Sequence, residues 1–220
     1  MNKEEMLKVV KKNLGLEYNI KLADTFKMVI FNDEIYLFGN EEYYDLLNEL
    51  SNKNPNWVMN PKELMKIEKI LKKNDEELDD FHIYYLPNEK KPVIKDYEYK
   101  WFSQSEILKF KDDFRFNEAF IYDESHPDML GVACIIDGKI VGMAGASLDY
   151  DNMWQMGVNV LEDYGKQGIG SSLIGLLKNK LLEMNIIPYY GTALSHIPSQ
   201  RIAVNSGFSP VYLEIKAEKK

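Results

Sequence analysis

The chain has 220 residues, 45% of them hydrophobic, which is apolar material for one large core or two small ones; its single cysteine, Cys134, excludes an internal disulfide. With 27 basic and 35 acidic side chains the net charge is −8, and no basic block stands out that could hold a phosphate backbone, so nucleic acid is excluded as an expected partner. Met1 to Met6 lacks the apolar stretch of a signal peptide and no apolar run approaches membrane-spanning length, so a soluble, cytoplasmic chain with no membrane partner is expected.

Residues 1–95 mix helical and strand-like patterns and read as a smaller N-terminal α+β domain of unassigned role. Lys27 to Phe31 and Ile35 to Gly39 flank an Asn32-Asp33 turn and predict a β-hairpin. Leu64, Ile67, Ile70 and Leu71 recur at helical spacing after Asn60-Pro61, where proline suits a first turn. Phe81 to Leu86 is a strand candidate ended by Pro87, and the charged, proline-containing stretch from Glu89 to Lys95 reads as a linker.

From about Tyr97 the grammar changes to longer apolar runs between tight turns. Leu130 to Ile136 and Lys139 to Leu148 flank Asp137-Gly138, a strong two-residue hairpin signal, and a third strand follows at Met153 to Val160 after a turn at Asp149 to Asn152. These strands make an antiparallel meander. Leu173, Leu176, Leu177, Leu181 and Met184 then form one apolar stripe, so a helix is expected from near Gly168 to near Asn185. Ile186 to Thr192 is strand-like, Pro198 to Ser206 is a short helix followed by Gly207, and Val211 to Ile215 is a last strand. Cys134, in an apolar run, reads as a buried structural thiol. Trp57, Trp101 and Trp154 are expected to pack, with shaping a ligand pocket the alternative for Trp154. His82, His126 and His196 lie far apart, without metal-binding spacing, so no metal is assigned.

The informative local feature is a strand ending at Val160, then Gly165-Lys166-Gln167-Gly168-Ile169-Gly170, then an amphipathic helix. Glycines let backbone amides approach a ligand, and the first turn of a helix offers unpaired N–H groups and a positive dipole end, so the turn suits a pyrophosphate. A tight strand-to-helix turn without any ligand would use the same glycines. The dinucleotide fingerprint needs a third glycine where Leu173 stands, and a P-loop needs Lys followed by Ser or Thr after its last glycine, so both are disfavoured.

These residues resemble the GNAT superfamily of CoA-dependent N-acetyltransferases, whose acetyl-CoA loop reads Gln/Arg-x-x-Gly-x-Gly/Ala after the fourth strand. Gly168 and Gly170 occupy the two small positions, while Gly165 stands where the family has Arg or Gln. A second block, His196 to Phe208, is similar to the family's Asn-x-x-Ser…Gly-Phe segment, with Ser199 matching and His196 replacing the asparagine. The resemblance covers roughly residues 97 to 220. It implies an α/β (α+β) class, with a GNAT acyl-CoA N-acyltransferase fold over 96–220 beside the N-terminal domain of 1–95.

The resemblance further implies direct acetyl transfer from acetyl-CoA to an amine of a small molecule, with no covalent enzyme intermediate. An acidic surface is compatible with a cationic amine. The strand Met153 to Val160 would splay from Ile187 to Thr192 to admit the pantetheine, with backbone amides near Met156 to Val160 as oxyanion donors. The expected acetyl-CoA contacts are Val158, Val160, Gly165, Lys166, Gln167, Gly168, Ile169, Gly170, Ser171 and Ser199. Many relatives carry a catalytic Tyr four residues after the motif serine, but Ala203 stands there, so Tyr189, Tyr190 and His196 are the candidate acids. Asp149 and Asp151, read as turn residues, are candidate bases, and Gln155 lies at a strand position where a carboxylate would serve better. A non-catalytic acyl-CoA-binding or regulatory protein is the alternative, because Gly165 and Ala203 each replace a useful side chain. A homodimer is left open.

Overall fold

The structure, a computed structural model, describes residues 2–219, with the backbone alone described at Asp80. In chain order the elements are α1 (Lys3–Asn13), β1 (Ile20–Leu22), β2 (Lys27–Phe31), β3 (Glu34–Gly39), α2 (Tyr44–Ser51), α3 (Pro61–Leu71) and β4 (Glu76–Pro87). Then follow β5 (Glu98–Ser103), α4 (Gln104–Ile107), β6 (Asp128–Ile136), β7 (Lys139–Tyr150), β8 (Met153–Val160), α5 (Ile169–Glu183), β9 (Ile187–Ala193), α6 (Ile197–Asn205) and β10 (Phe208–Lys219). The chain folds into two compact units: residues 2–6, 85–192 and 196–210 form one, and residues 7–84, 193–195 and 211–219 form the other.

In the unit built on residues 7–84, the expected hairpin is β2–β3. Asn32 and Asp33 have φ of 51° and 61°, both left-handed, as a two-residue turn matched to strand twist requires. β1 joins β3 in parallel and the far half of β10 joins β2 antiparallel, from Tyr212 opposite Phe31 to Lys216 opposite Lys27. Helix α3 starts where the sequence indicates, because the Asn60 side chain accepts from the N–H groups of Lys62 and Glu63 at 3.0 and 3.2 Å and Pro61 opens the helix. Leu46, Leu47 and Leu50 of α2 and Ile67 and Leu71 of α3 bury against Phe26, Met28, Leu37 and Ile215. Trp57, expected to pack, is 72% exposed. It sits in the run of turns between α2 and α3, off the periodic positions that those helices bury.

The unit built on residues 85–192 carries the sheet order β9-β8-β7-β6-β5. β5 to β8 pair antiparallel and β8–β9 is parallel. Asp137 and Gly138, with φ of 51° and 72°, turn the β6–β7 hairpin. β7 runs further than expected, through an irregularity after Leu148 to the rung Tyr150–Met153, so Asp149 is a strand residue and only Asp151 is in the turn. Helix α5 lies against the sheet at Gly142, where a side chain would come within 3.2 Å of Ile169 and Leu173. Its C-terminus closes with Asn185 at φ 59°, Asn185 N–H donating to the Leu182 carbonyl and Ile186 N–H to that of Leu181, which satisfies the last carbonyls. On the opposite sheet face Phe116, Ala119 and Phe120 bury with Phe102, Ile107, Ala133 and Met143.

The stretch expected as a linker has no regular secondary structure but is fastened along α5. Lys95 N–H donates to Ser172 Oγ at 3.0 Å, and Lys178 Nζ donates to the carbonyls of Lys90 and Gly207 at 3.3 and 3.2 Å. Gly175 leaves room for it, since a Cβ there would lie 2.6 Å from Pro92 Cβ.

Candidate active site

The glycine turn begins with a short 3₁₀ turn, Glu162–Tyr164, and reaches α5 through two left-handed residues, Lys166 at φ 61° and Gly168 at φ 83°. Alternation of left-handed and ordinary backbone turns successive N–H groups toward one side, which is the geometry of an anion nest. Ser172 N–H makes the first helical bond, to the Gly168 carbonyl at 3.0 Å; the N–H groups of residues 168 to 171 donate to no protein acceptor among the described residues. The two motif glycines do different work. Gly168 supplies the left-handed conformation that caps the helix, whereas a Cβ on Gly170 would lie 2.9 Å from Ile202 of α6, so Gly170 serves helix packing. Lys95 was not anticipated here: its Cε lies 3.4 Å from where a Gly168 Cβ would be. It adds a second cation to Lys166 beside the nest.

The β8–β9 ladder has rungs from Met153–Ile187 to Met156–Tyr190 and ends there, although β8 runs on to Val160. The sheet therefore opens beyond Met156. Strand alternation assigns the faces. Val160 is registered with Gly142 and Val158 with Ala144, so both belong to the α5 face. Gly157 is registered with Gly145, and Cβ atoms at these two glycines would run into the backbone of Glu118 and Ala119, so Gly157, Gln155 and Asn159 belong to the other face.

The two candidate tyrosines separate accordingly. Tyr190, opposite Met156, turns to the α5 face, and its hydroxyl lies 2.6 Å from Ser199 Oγ on α6. Only 3% of it is exposed; burial pushes its pKa above the ordinary tyrosine value, while the Ser199 hydrogen bond pulls the other way. Tyr189, opposite Gln155, turns to the other face, where its hydroxyl donates to the Asp149 carboxylate and lies 3.1 Å from Gln155 Oε1. His196 is exposed at the N-cap of α6, and its side chain makes no capping hydrogen bond among the described residues. Asp151 is exposed in its turn, and Trp154 is buried on β8 with an indole N–H that has no hydrogen-bond partner among the described residues.

Sequence reasoning also missed Asn159 and Glu118. Asn159 Oδ1 accepts from the backbone N–H groups of Glu118 at 2.6 Å and Ala119 at 2.8 Å, fixing the 117–120 segment over the open end of β8. Cys134 is fully buried, and burial raises its pKa, as expected of an inert thiol. Among the described residues no three His, Cys, Asp or Glu side chains are grouped to hold a metal ion, and no helix is long and apolar enough to cross a membrane.

The fold is similar to that of a GNAT-family protein from Novosphingobium aromaticivorans, with a TM-score of 0.52 and 14% identity over 66% of this chain and 68% of that one. It is also similar to an acetyltransferase of the GNAT family from Colwellia psychrerythraea, with a TM-score of 0.50 and 14% identity over 71% of this chain and 62% of that one. A GCN5-related N-acetyltransferase-like protein from Streptococcus suis matches over 100% of both chains at a TM-score of 0.50 and 14% identity. At such identities the likeness is one of fold. No curated protein matches the chain. The model of the acetyltransferase (GNAT) family matches residues 92–208, more than half of the chain, spanning the nest, the open ladder and Ser199. The chain belongs to the acetyltransferase (GNAT) family and is an acyltransferase of that family.

Proposed function

We propose that the protein moves the acetyl group of acetyl-CoA directly to a primary amine of a small molecule. The observation that carries this assignment is the early end of the β8–β9 ladder at Met156–Tyr190, on the strand that leads into an anion nest. The backbone amides of Lys166, Gln167, Gly168, Ile169, Gly170 and Ser171 hold the pyrophosphate, with Lys95 and Lys166 adding charge. Gly165, where the family has a longer side chain, contributes only backbone. Val158 and Val160 flank the pantetheine on the α5 face, and the amides of the open β8 edge polarise the thioester carbonyl.

Bound acetyl-CoA supplies an activated acyl group, and the amine nitrogen forms the new bond to carbon as the carbon–sulfur bond breaks, shedding its surplus proton to water. Tyr190, positioned by Ser199, donates a proton toward the departing sulfur and is reprotonated from water after CoA leaves; a phenol with an ordinary pKa of about 10 carries that proton at neutral pH. Tyr189 is engaged by Asp149 on the opposite face and serves the acceptor side.

Calorimetric titration with acetyl-CoA, followed by thiol release with a panel of primary amines, tests the proposal. Binding at about 1 µM to 1 mM with amine-dependent thiol release supports it. Binding without turnover favours a non-catalytic acyl-CoA-binding protein, and no binding at near-millimolar ligand rejects both.

A further inference from the structure

The geometry points to Glu118 as the acceptor-binding residue, its carboxylate receiving the ammonium group of a cationic amine on the sheet face opposite α5. This assignment rests on the acetyl-transfer function proposed above and deepens it to a substrate class and a residue.

The backbone around Glu118 is held from several sides. Phe116 and Phe120 are each 1% exposed within the core on this face. Asp113 caps the 3₁₀ turn Phe114–Phe116 by accepting from Arg115 N–H at 3.3 Å. The N–H groups of Glu118 and Ala119 converge on Asn159, which lies beyond the last β8–β9 rung. The Glu118 carbonyl rests on β8 at Gly157, where even a methyl group would collide with it. A glycine at 157 and an asparagine at 159 thus pin one residue over the opening.

The side chain held in this way is exposed, and its carboxylate has no hydrogen bond or ion pair among the described residues. The other acids near it on this face are engaged, Asp149 by the Tyr189 hydroxyl and Asp128 by the N–H groups of Ile121 and Tyr122 at 3.2 and 2.8 Å. The negative charge of Glu118 also adds, after burial, to the upward shift of Tyr190, although Tyr190 turns to the opposite face. Glu118 is therefore within electrostatic reach of the proposed proton donor. A primary amine with a pKa of about 10 arrives as an ammonium ion, and a carboxylate carried on this fixed backbone binds that form. The exposed position lets the ammonium release its proton to water before the nitrogen attacks.

The test compares the wild type with Glu118→Gln, which preserves the shape and backbone contacts of residue 118. The acceptors are n-butylamine, 1,4-diaminobutane and spermidine, with hydroxylamine as an acceptor that is uncharged at neutral pH. Glu118→Gln is expected to raise KM for the cationic amines at least tenfold, leave KM for acetyl-CoA within twofold, and leave hydroxylamine turnover within twofold. Unchanged KM for the cationic amines, or an equal loss with hydroxylamine, overturns the assignment. Should the wild type bind acetyl-CoA yet turn over none of these amines, the acetyl-transfer proposal fails for them, and spermidine is titrated calorimetrically into the CoA-bound protein. Binding weakened at least tenfold by Glu118→Gln supports Glu118; equal affinity, or no binding to the wild type, overturns it.

Discussion

Met156 on β8 and Tyr190 on β9 form the last rung of a parallel ladder, and beyond it the two strands share no further pairing. Tyr190 is thereby placed at the apex of the opening with its hydroxyl on Ser199. Replacing Tyr190 by Phe removes the hydroxyl without changing the ring, so kcat is expected to fall about 100-fold. Affinity for acetyl-CoA should stay within threefold, because the nest is untouched. Equal kcat in the variant would remove Tyr190 from the chemistry.

The same tyrosine makes a pH-dependent contribution to stability. Its folded-state pKa is raised, chiefly by burial, so the native state holds the proton more tightly than the unfolded chain does. The contribution is fully present below the ordinary tyrosine pKa of about 10 and is lost as pH rises through the raised value. Urea unfolding of the wild type and Tyr190→Phe should show a constant difference at pH 7 and 9 that narrows at pH 11.

Gly168→Asp places a negative charge in the nest at a residue with φ 83°. Left-handed backbone costs a non-glycine residue about 1 kcal/mol, so the circular dichroism spectrum should survive. Affinity for acetyl-CoA is expected to fall at least 100-fold by calorimetry. Unchanged affinity would show that pyrophosphate does not lie here.

Lys178 is 3% exposed, and burial pushes its pKa down to about 8 from 10.5. Its carbonyl acceptors and the Phe208 ring, 5.6 Å away, offset part of that desolvation. The charged form costs the fold roughly 3 kcal/mol below pH 8, a cost relieved as pH rises from about 8 to 10.5. Lys178→Met abolishes this titration. Relative to the variant, the wild type should therefore be more stable at pH 10 than at pH 7, as measured by urea unfolding. A pH-independent difference would contradict the shifted lysine.

Gly157→Ala drives a methyl group into the Glu118 carbonyl. Overpacking against backbone should cost about 1–3 kcal/mol and displace the 117–120 segment. The expected kinetic signature is a raised KM for the amine with acetyl-CoA binding retained. Equal increases in both would place Gly157 in the CoA site instead.

Much of the fold was legible wherever one short segment carries its own signal. Asn32-Asp33 and Asp137-Gly138 adopt the paired left-handed angles that such dipeptides favour, and α5 and α6 start and stop where apolar spacing, Pro198, Asn185 and Gly207 direct them. The edge strand β5 escaped notice because Trp101 and its neighbours show little net alternation, and Asp149 was misread because aspartate usually marks a turn. The glycine turn was visible as a local motif. Its neighbours were not, because Lys95 lies 77 residues from Ser172, which it contacts, and Glu118 lies 41 residues from Asn159. Adjacent tyrosines on one strand must face opposite ways, but which one faces Ser199 depends on the register of β8 against β9.

A crystal structure of the protein with acetyl-CoA tests the central claim most directly. The expected result has the pyrophosphate on the backbone amides of residues 166 to 171, the pantetheine along the open edge of β8 between Gly157 and Val160, and the sulfur beside the Tyr190 hydroxyl. Acetyl-CoA bound elsewhere, with the β8–β9 opening closed and residues 168 to 171 still unpaired, would contradict it.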